Sequence, residues 1–214
     1  MALPLALCAL LTLTGCTKVP GVYVAEKDGG AASQAGSSGK IFDPKSYVEK
    51  NWDSKVVPAV TDKSEDASTV LAALAANPAA ASQKYGRQNG TGSPYAFLVK
   101  GTGKVVSVDR SATGSLLVDL APGDGKPDLS IAIGPAFVGT AIRDAVGFIK
   151  FSQFTNQIDY ADVSTALNTR VRTTVVGGKN FAGAAGKTVT FAGAFQLLDP
   201  KHIVVTPVTL DVAA

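Results

Sequence analysis

Chemistry is most concentrated between Gly134 and Gln157, in the run GPAFVGTAIRDAVGFIKFSQFTNQ. Arg143 and Asp144 stand there among Ile142, Val146, Phe148, Ile149, Phe151 and Phe154, an apolar and aromatic setting for two opposite charges. Adjacent residues in a helix do not face each other, so each of the two is expected to find its partner elsewhere. Two readings follow. In one, Arg143 and Asp144 are buried polar groups that satisfy the scaffold around them. In the other, Thr140, Arg143, Asp144, Phe151, Asn156 and Gln157 form a ligand- or partner-binding site. Gly134, Gly139 and Gly147 would let backbone approach closely in either case. A third, catalytic reading pairs Asp144 with Asp159 or Asp162 in a glycan hydrolase, whose two carboxyls must lie about 5 to 10 Å apart across a cleft.

Other motifs lead to turns. GAAGKT at 183–188 ends as a phosphate-binding loop does, but such a loop needs a glycine at position 181, which is Phe181. The strand-like TVTFAG follows it where a helix should start. GDGKPD at 123–128 has the glycines and carboxylates of a calcium loop, but Lys126 puts a positive charge where an oxygen ligand belongs. Asn89-Gly90-Thr91 reads as a turn. His202, the chain's only imidazole, follows Asp199-Pro200-Lys201 without a serine elbow anywhere in the sequence; it is expected on the surface at a strand start.

One thiol has a definite chemistry. The apolar run from Leu3 to Leu13 is eleven residues, where a membrane span needs roughly 20, so it reads as a signal-peptide core. It ends in Leu13-Thr14-Gly15-Cys16, a lipobox, whose cysteine is acylated and becomes the mature N-terminus. No Lys or Arg precedes the run, a departure that bears on the start site alone. Cys8 leaves with the leader and Cys16 carries lipid, so the mature chain is expected to hold neither a free thiol nor a disulfide. With one His and two Cys in all, zinc, haem and thiol catalysis lack their ligands, and no cofactor or metal is expected. Twenty Lys and Arg against 17 Asp and Glu leave +3, too little and too dispersed for nucleic acid.

The elements that must position these residues begin beyond a tether. Residues 1–15 read as leader and 16–40 as a lipidated flexible tether, because residues 25–39 hold four Gly, three Ser and four Ala and no large apolar side chain. Its root-mean-square reach is about 25 to 30 Å. Residues 41–88 form a helical domain. Asp43-Pro44 caps a helix with Val48, Trp52 and Val56 on one stripe, closed by Pro58. A second helix starts near Asp66 or Ser68, is broken at Asn77-Pro78 and ends on Gly86 as a left-handed cap. From 89 to 214 the apolar period falls to two. YAFLVK, KVVSVD, SLLVDL and DLSIAI, then RVRTTVV, GKTVTFAGAFQLL and HIVVTPVTLDV, are strands around a helical insert at about 140–168. Pro207 marks an edge or a bulge. The fold class is α+β: a small N-terminal helical domain plus an OB-like antiparallel β-barrel with a helical insert.

The residues FDPKSYVEKNWDSKVVPA at 42–59, IGPAFVGTAIRDAVGFIKFSQFTNQIDYADVSTALN at 133–168, GAFQLL and the terminal IVVTPVTL, taken with LTGC, resemble the bacterial DUF2291 family of predicted periplasmic lipoproteins. The resemblance covers nearly all of the chain outside the tether. It implies an envelope location, an OB-like barrel with a helical part, and genes often beside ribose-type sugar ABC transporters. It supplies no catalytic residues.

The reading is a non-enzymatic envelope lipoprotein, facing the periplasm and anchored to one membrane, that binds a solute or a protein partner of a sugar ABC uptake system. A structural docking module and a carboxylate-based glycan hydrolase are the alternatives.

Overall fold

The computed structural model describes residues 42–213, so Cys16, the leader and the tether lie outside the described residues. The chain enters on α1 (Pro44–Asn51), where the Asp43 carboxylate accepts from the Lys45 amide at 3.0 Å and Pro44 takes the first helical position. Pro58 does not close this helix as the sequence suggests. A π turn over Trp52–Val56 intervenes, and the helix resumes as α2 (Val57–Lys63) with Pro58 in its first turn, where a missing N–H is tolerated. A two-residue strand β1 (Glu65–Asp66) leads into α3 (Ala67–Ala76), capped by Asp66, and α4 (Pro78–Tyr85), capped by Asn77.

Gly86 is not left-handed: its φ is −90° and it opens β2 (Gly86–Arg87). A Cβ there would lie 2.7 Å from the Ser82 carbonyl oxygen, so close approach, and not handedness, calls for glycine.

The barrel has five strands: β3 (Ala96–Asp109), β4 (Ser115–Leu120), β5 (Leu129–Ala132), β6 (Thr188–Gln196) and β7 (Val204–Val212). They run β3-β4-β5-β7-β6, and β6 pairs again with β3 to close the ring. Four seams are antiparallel and one, β5 with β7, is parallel. YAFLVK and KVVSVD, separated in the sequence by a glycine pair, are one 14-residue strand. Gly103 lies inside it, where a Cβ would meet the Asp119 carbonyl oxygen at 2.4 Å. Pro207 sits opposite Gly193 at a register shift, the expected bulge.

Between β5 and β6 lie α5 (Ala141–Ala145), a 3₁₀ turn at Phe151–Gln153, and α6 (Gln157–Arg170). RVRTTVV is not a strand. A second π turn, Val171–Val175, continues α6 through it. Val171 and Val175 are four residues apart and both buried, and the Thr173 and Thr174 hydroxyls donate back to the Thr169 and Arg170 carbonyls. Helical spacing of two apolar side chains outweighs the β-branched composition here.

One core fills the barrel and underlies the helices on its outside. Phe97 and Phe195 stack at 4.7 Å in the barrel, while Val48, Trp52, Val56, Val163 and Leu167 join the same cluster from α1 to α6. Among the described residues no helix is long and apolar enough to cross a membrane.

Candidate functional site

The helical insert carries the residues singled out above, and α5 is its centre. Gly139, at φ +88°, turns the chain into α5 and its carbonyl accepts from Asn168 of α6 at 3.0 Å. Thr140 occupies the N-cap position of α5 but caps nothing with its side chain. Its hydroxyl instead donates to Asp144 Oδ2 at 2.5 Å.

Asp144 is buried, and both its oxygens are taken. Oδ1 accepts from Arg143 Nε at 2.8 Å and from Asn89 Nδ2 at 3.0 Å; Oδ2 accepts from Thr140 and from Gln196 Nε2 at 3.1 Å. Gln196 also donates to the Thr140 hydroxyl at 2.8 Å. Four donors on one carboxylate offset the cost of burying its charge. Arg143 therefore pairs with its own sequence neighbour, contrary to the helical expectation. The arginine side chain is long enough to fold back along a five-residue helix, so adjacency of the two backbones does not keep the groups apart.

The guanidinium also lies over the Tyr160 ring of α6, its Cζ 3.8 Å from the ring centroid, and Nη1 donates to the Tyr160 carbonyl at 3.3 Å. Asn89 also donates to the Tyr160 hydroxyl. Burial pushes the Tyr160 phenol above its ordinary pKa, with the Arg143 charge opposing and the Asp144 charge adding to the rise. Phe151 packs edge-on against Tyr160 at 5.7 Å, and Phe154 meets the same ring at 5.4 Å. Phe154 in turn touches Phe42 and Tyr47 at the start of α1.

Thr140, Arg143 and Asp144 thus come together, with Phe151 one ring away. Asn156 and Gln157 have other positions. Asn156 is the N-cap of α6, its Oδ1 accepting from the Asp159 amide at 2.8 Å, and Gln157 is exposed at the helix start. Asp159 is engaged by the Asn156 amide at 3.1 Å and Asp162 lies on the exposed side of α6.

Asn89, Tyr160 and Gln196 are members that sequence reasoning did not pick. Asn89 lies in the Asn-Gly-Thr turn and Gln196 ends β6, 55 and 52 residues from Asp144. Tyr160 carried a signal: Tyr160, Ser164 and Asn168 recur every fourth residue as a polar stripe on the inner side of α6.

The remaining motifs are turns. Asp119 Oδ2 accepts from the Gly125 amide at 2.8 Å and Asp128 Oδ2 from the Leu120 amide at 2.7 Å, which folds the 123–128 connection onto β4. In the 183–188 segment Gly186 and Lys187 hydrogen-bond with Val105 of β3. His202 is exposed, and among the described residues its ring meets only Asp199, at 2.5 Å.

Four large apolar side chains close to members of the cluster are exposed among polar neighbours. Val138, beside Gly139, is 78% exposed; Ile158, two residues before Tyr160, 71%; Leu198, two residues after Gln196, 76%; and Phe151, edge-on to Tyr160, 48%.

Comparisons with known proteins agree with this architecture. An OB-fold protein from Thermotoga maritima, solved by crystallography, superposes with a TM-score of 0.67 at 27% sequence identity, over 81% of this chain and 100% of its own. No curated protein matches the sequence. The profile of DUF2291, described as predicted periplasmic lipoprotein, matches residues 6–211. That match spans nearly the whole chain, and the protein belongs to this family of lipid-anchored proteins of the bacterial envelope.

Proposed function

We propose that the protein is a non-enzymatic accessory lipoprotein, acylated at Cys16, whose face around Tyr160 docks a protein component of a sugar ABC uptake system. The observation that carries this reading is the saturated polar cluster at Tyr160, with Phe151 exposed against that ring and Val138, Ile158 and Leu198 exposed two residues from Thr140, Tyr160 and Gln196. A small solute needs free donors and acceptors converging in a pocket. Here Thr140, Asp144, Gln196 and Asn89 use theirs on one another, which favours a protein over a solute. The same saturation supports the non-catalytic part: a carboxylate held by four donors is poorly placed to move a proton. The sugar-uptake partner rests on the family resemblance.

The test is capture of partners from the native envelope by the lipidated protein, with Ile158→Asp and Leu198→Asp as variants. Neither side chain contributes to the core, so both variants are expected to fold. The expected result is a transporter permease, ATPase or binding protein enriched by the wild type and reduced at least tenfold by each variant. Undiminished capture by both variants would show the face to be wrong. Enrichment of an envelope protein with no part in sugar uptake, lost in both variants, would keep the docking face and overturn the sugar-uptake assignment.

A further inference from the structure

Away from that face, Arg170 has no hydrogen-bond acceptor among the described residues. Its side chain is 31% exposed, and among the described residues none of its five N–H groups makes a hydrogen bond. Nε is fully buried and unpartnered. The guanidinium approaches one carboxylate, that of the exposed Asp53, at 3.8 Å, beyond hydrogen-bond range, and stands 6.0 Å from the Trp52 ring. Its place in the last turn of α6 suits the helix dipole.

Both π turns among the described residues flank this residue. Trp52–Val56 lies against it from the first helix, and Val171–Val175 follows it directly. Such turns are uncommon and concentrate at functional sites. Arg170 also lines two hollows. One, of about 320 Å³, is bounded by Trp52, Asp53 and Thr174. The other is a groove of about 300 Å³ between α1 and α6, with Pro44, Val48 and Ala166 as its apolar floor. Arg170 is at one end of this groove; Glu49 and Asp162 also line it, and Asp162 is eight residues, or about 12 Å of helix rise, before Arg170.

We infer that the groove binds a single-chain amphiphile with one carboxylate, the head on Arg170 and the tail along Pro44, Val48 and Ala166. Arginine presents paired donors that match a carboxylate, and a largely apolar cleft with a few polar groups at its margin is the ordinary form of a small-molecule site. The volume fits a medium-length chain. Lys45 also lines the groove but is paired with Glu49 at 3.9 Å, and Asp162 adds a further negative charge, so the tail end disfavours a second anionic group. This site does not depend on the docking face proposed above.

Trp52 is the only tryptophan in the chain and reports on the site. The experiment titrates the full chain carrying Cys16→Ser, which cannot be acylated, with decanoate and follows Trp52 emission. The expected result is a saturable change whose midpoint rises at least tenfold in Arg170→Gln, with decanol and the dicarboxylate sebacate each at least tenfold weaker. The inference is overturned if decanol or sebacate titrates as decanoate does, or if Arg170→Gln leaves the midpoint unchanged. It is overturned equally by a response to phosphatidylglycerol vesicles with none to decanoate, which would assign the site to membrane lipid. Should Arg170→Gln fail to fold by circular dichroism, Ala166→Phe fills the groove with the guanidinium intact. Loss of the decanoate response in that variant supports the site and its retention overturns it.

Discussion

Asp144 illustrates how one side chain can hold distant parts of a chain together. Its four donors come from α5, from the turn after β2 and from the end of β6, so removing the carboxylate strands several polar groups at once. Asp144→Ala is expected to cost about 3 to 5 kcal/mol, measured by urea denaturation; a loss below 1 kcal/mol would mean the cluster does not lock these segments. The Asp66 cap makes a smaller and pH-dependent contribution. Hydrogen bonds from the Ser68 hydroxyl and then the Thr69 amide hold its carboxyl below the ordinary value of 3.8. A depressed folded pKa contributes stability that is present above pH 3.8 and disappears as pH falls through the lower folded value. Asp66→Ala should therefore cost about 1 kcal/mol at neutral pH, and the gap from wild type should close on acidification. A gap that stays constant down to pH 2 would contradict the cap.

At the level of elements, glycine tolerance separates strand from turn. Gly103→Ala places a Cβ 2.4 Å from backbone that cannot retreat, so a loss of about 1 to 3 kcal/mol is expected. Gly183→Ala meets nothing within 4 Å at an ordinary φ and should be neutral or slightly stabilising, by up to about 1 kcal/mol. Thermal melts of the two variants check this contrast, and equal melting points would refute the assignment of Gly101-Thr102-Gly103 to a strand interior. Much of the barrel was legible beforehand because period-two runs and Gly- or Pro-containing turns are local signals. The GTG segment misled because close approach between strands selects glycine as strongly as a turn does. The segment 171–175 misled because β-branched residues favour strands only on average, and burial of Val171 and Val175 on one side decides otherwise. For the candidate site, Thr140, Arg143 and Asp144 were visible as polar residues in an apolar run. Asn89 and Gln196 were not, since partners more than fifty residues away leave no local trace, and nothing in Asn89-Gly90-Thr91 distinguishes a buried contact from a plain turn. Asn156 and Gln157 looked alike in the sequence, yet one caps α6 and the other faces solvent.

For the whole molecule, the anchor and the barrel do separate things. Acyl chains confine the protein to a bilayer surface, while the barrel and its helical insert carry the face proposed to dock a partner there. Confinement raises the local concentration of partners, so a modest contact suffices. Cys16→Ser should release the protein from the membrane fraction and weaken partner capture even though the docking face is unaltered. Retention in the membrane fraction by that variant would mean another segment provides the anchor. The account's central claim, that the face around Tyr160 meets a sugar-uptake component in the envelope, is tested most directly by photo-crosslinking in living cells. A photoreactive residue at position 158 is compared with one at Val106, on the bulge of β3. The account predicts a single adduct with a transporter component from position 158 and none from position 106; equal labelling from both positions, or none from 158, would contradict it.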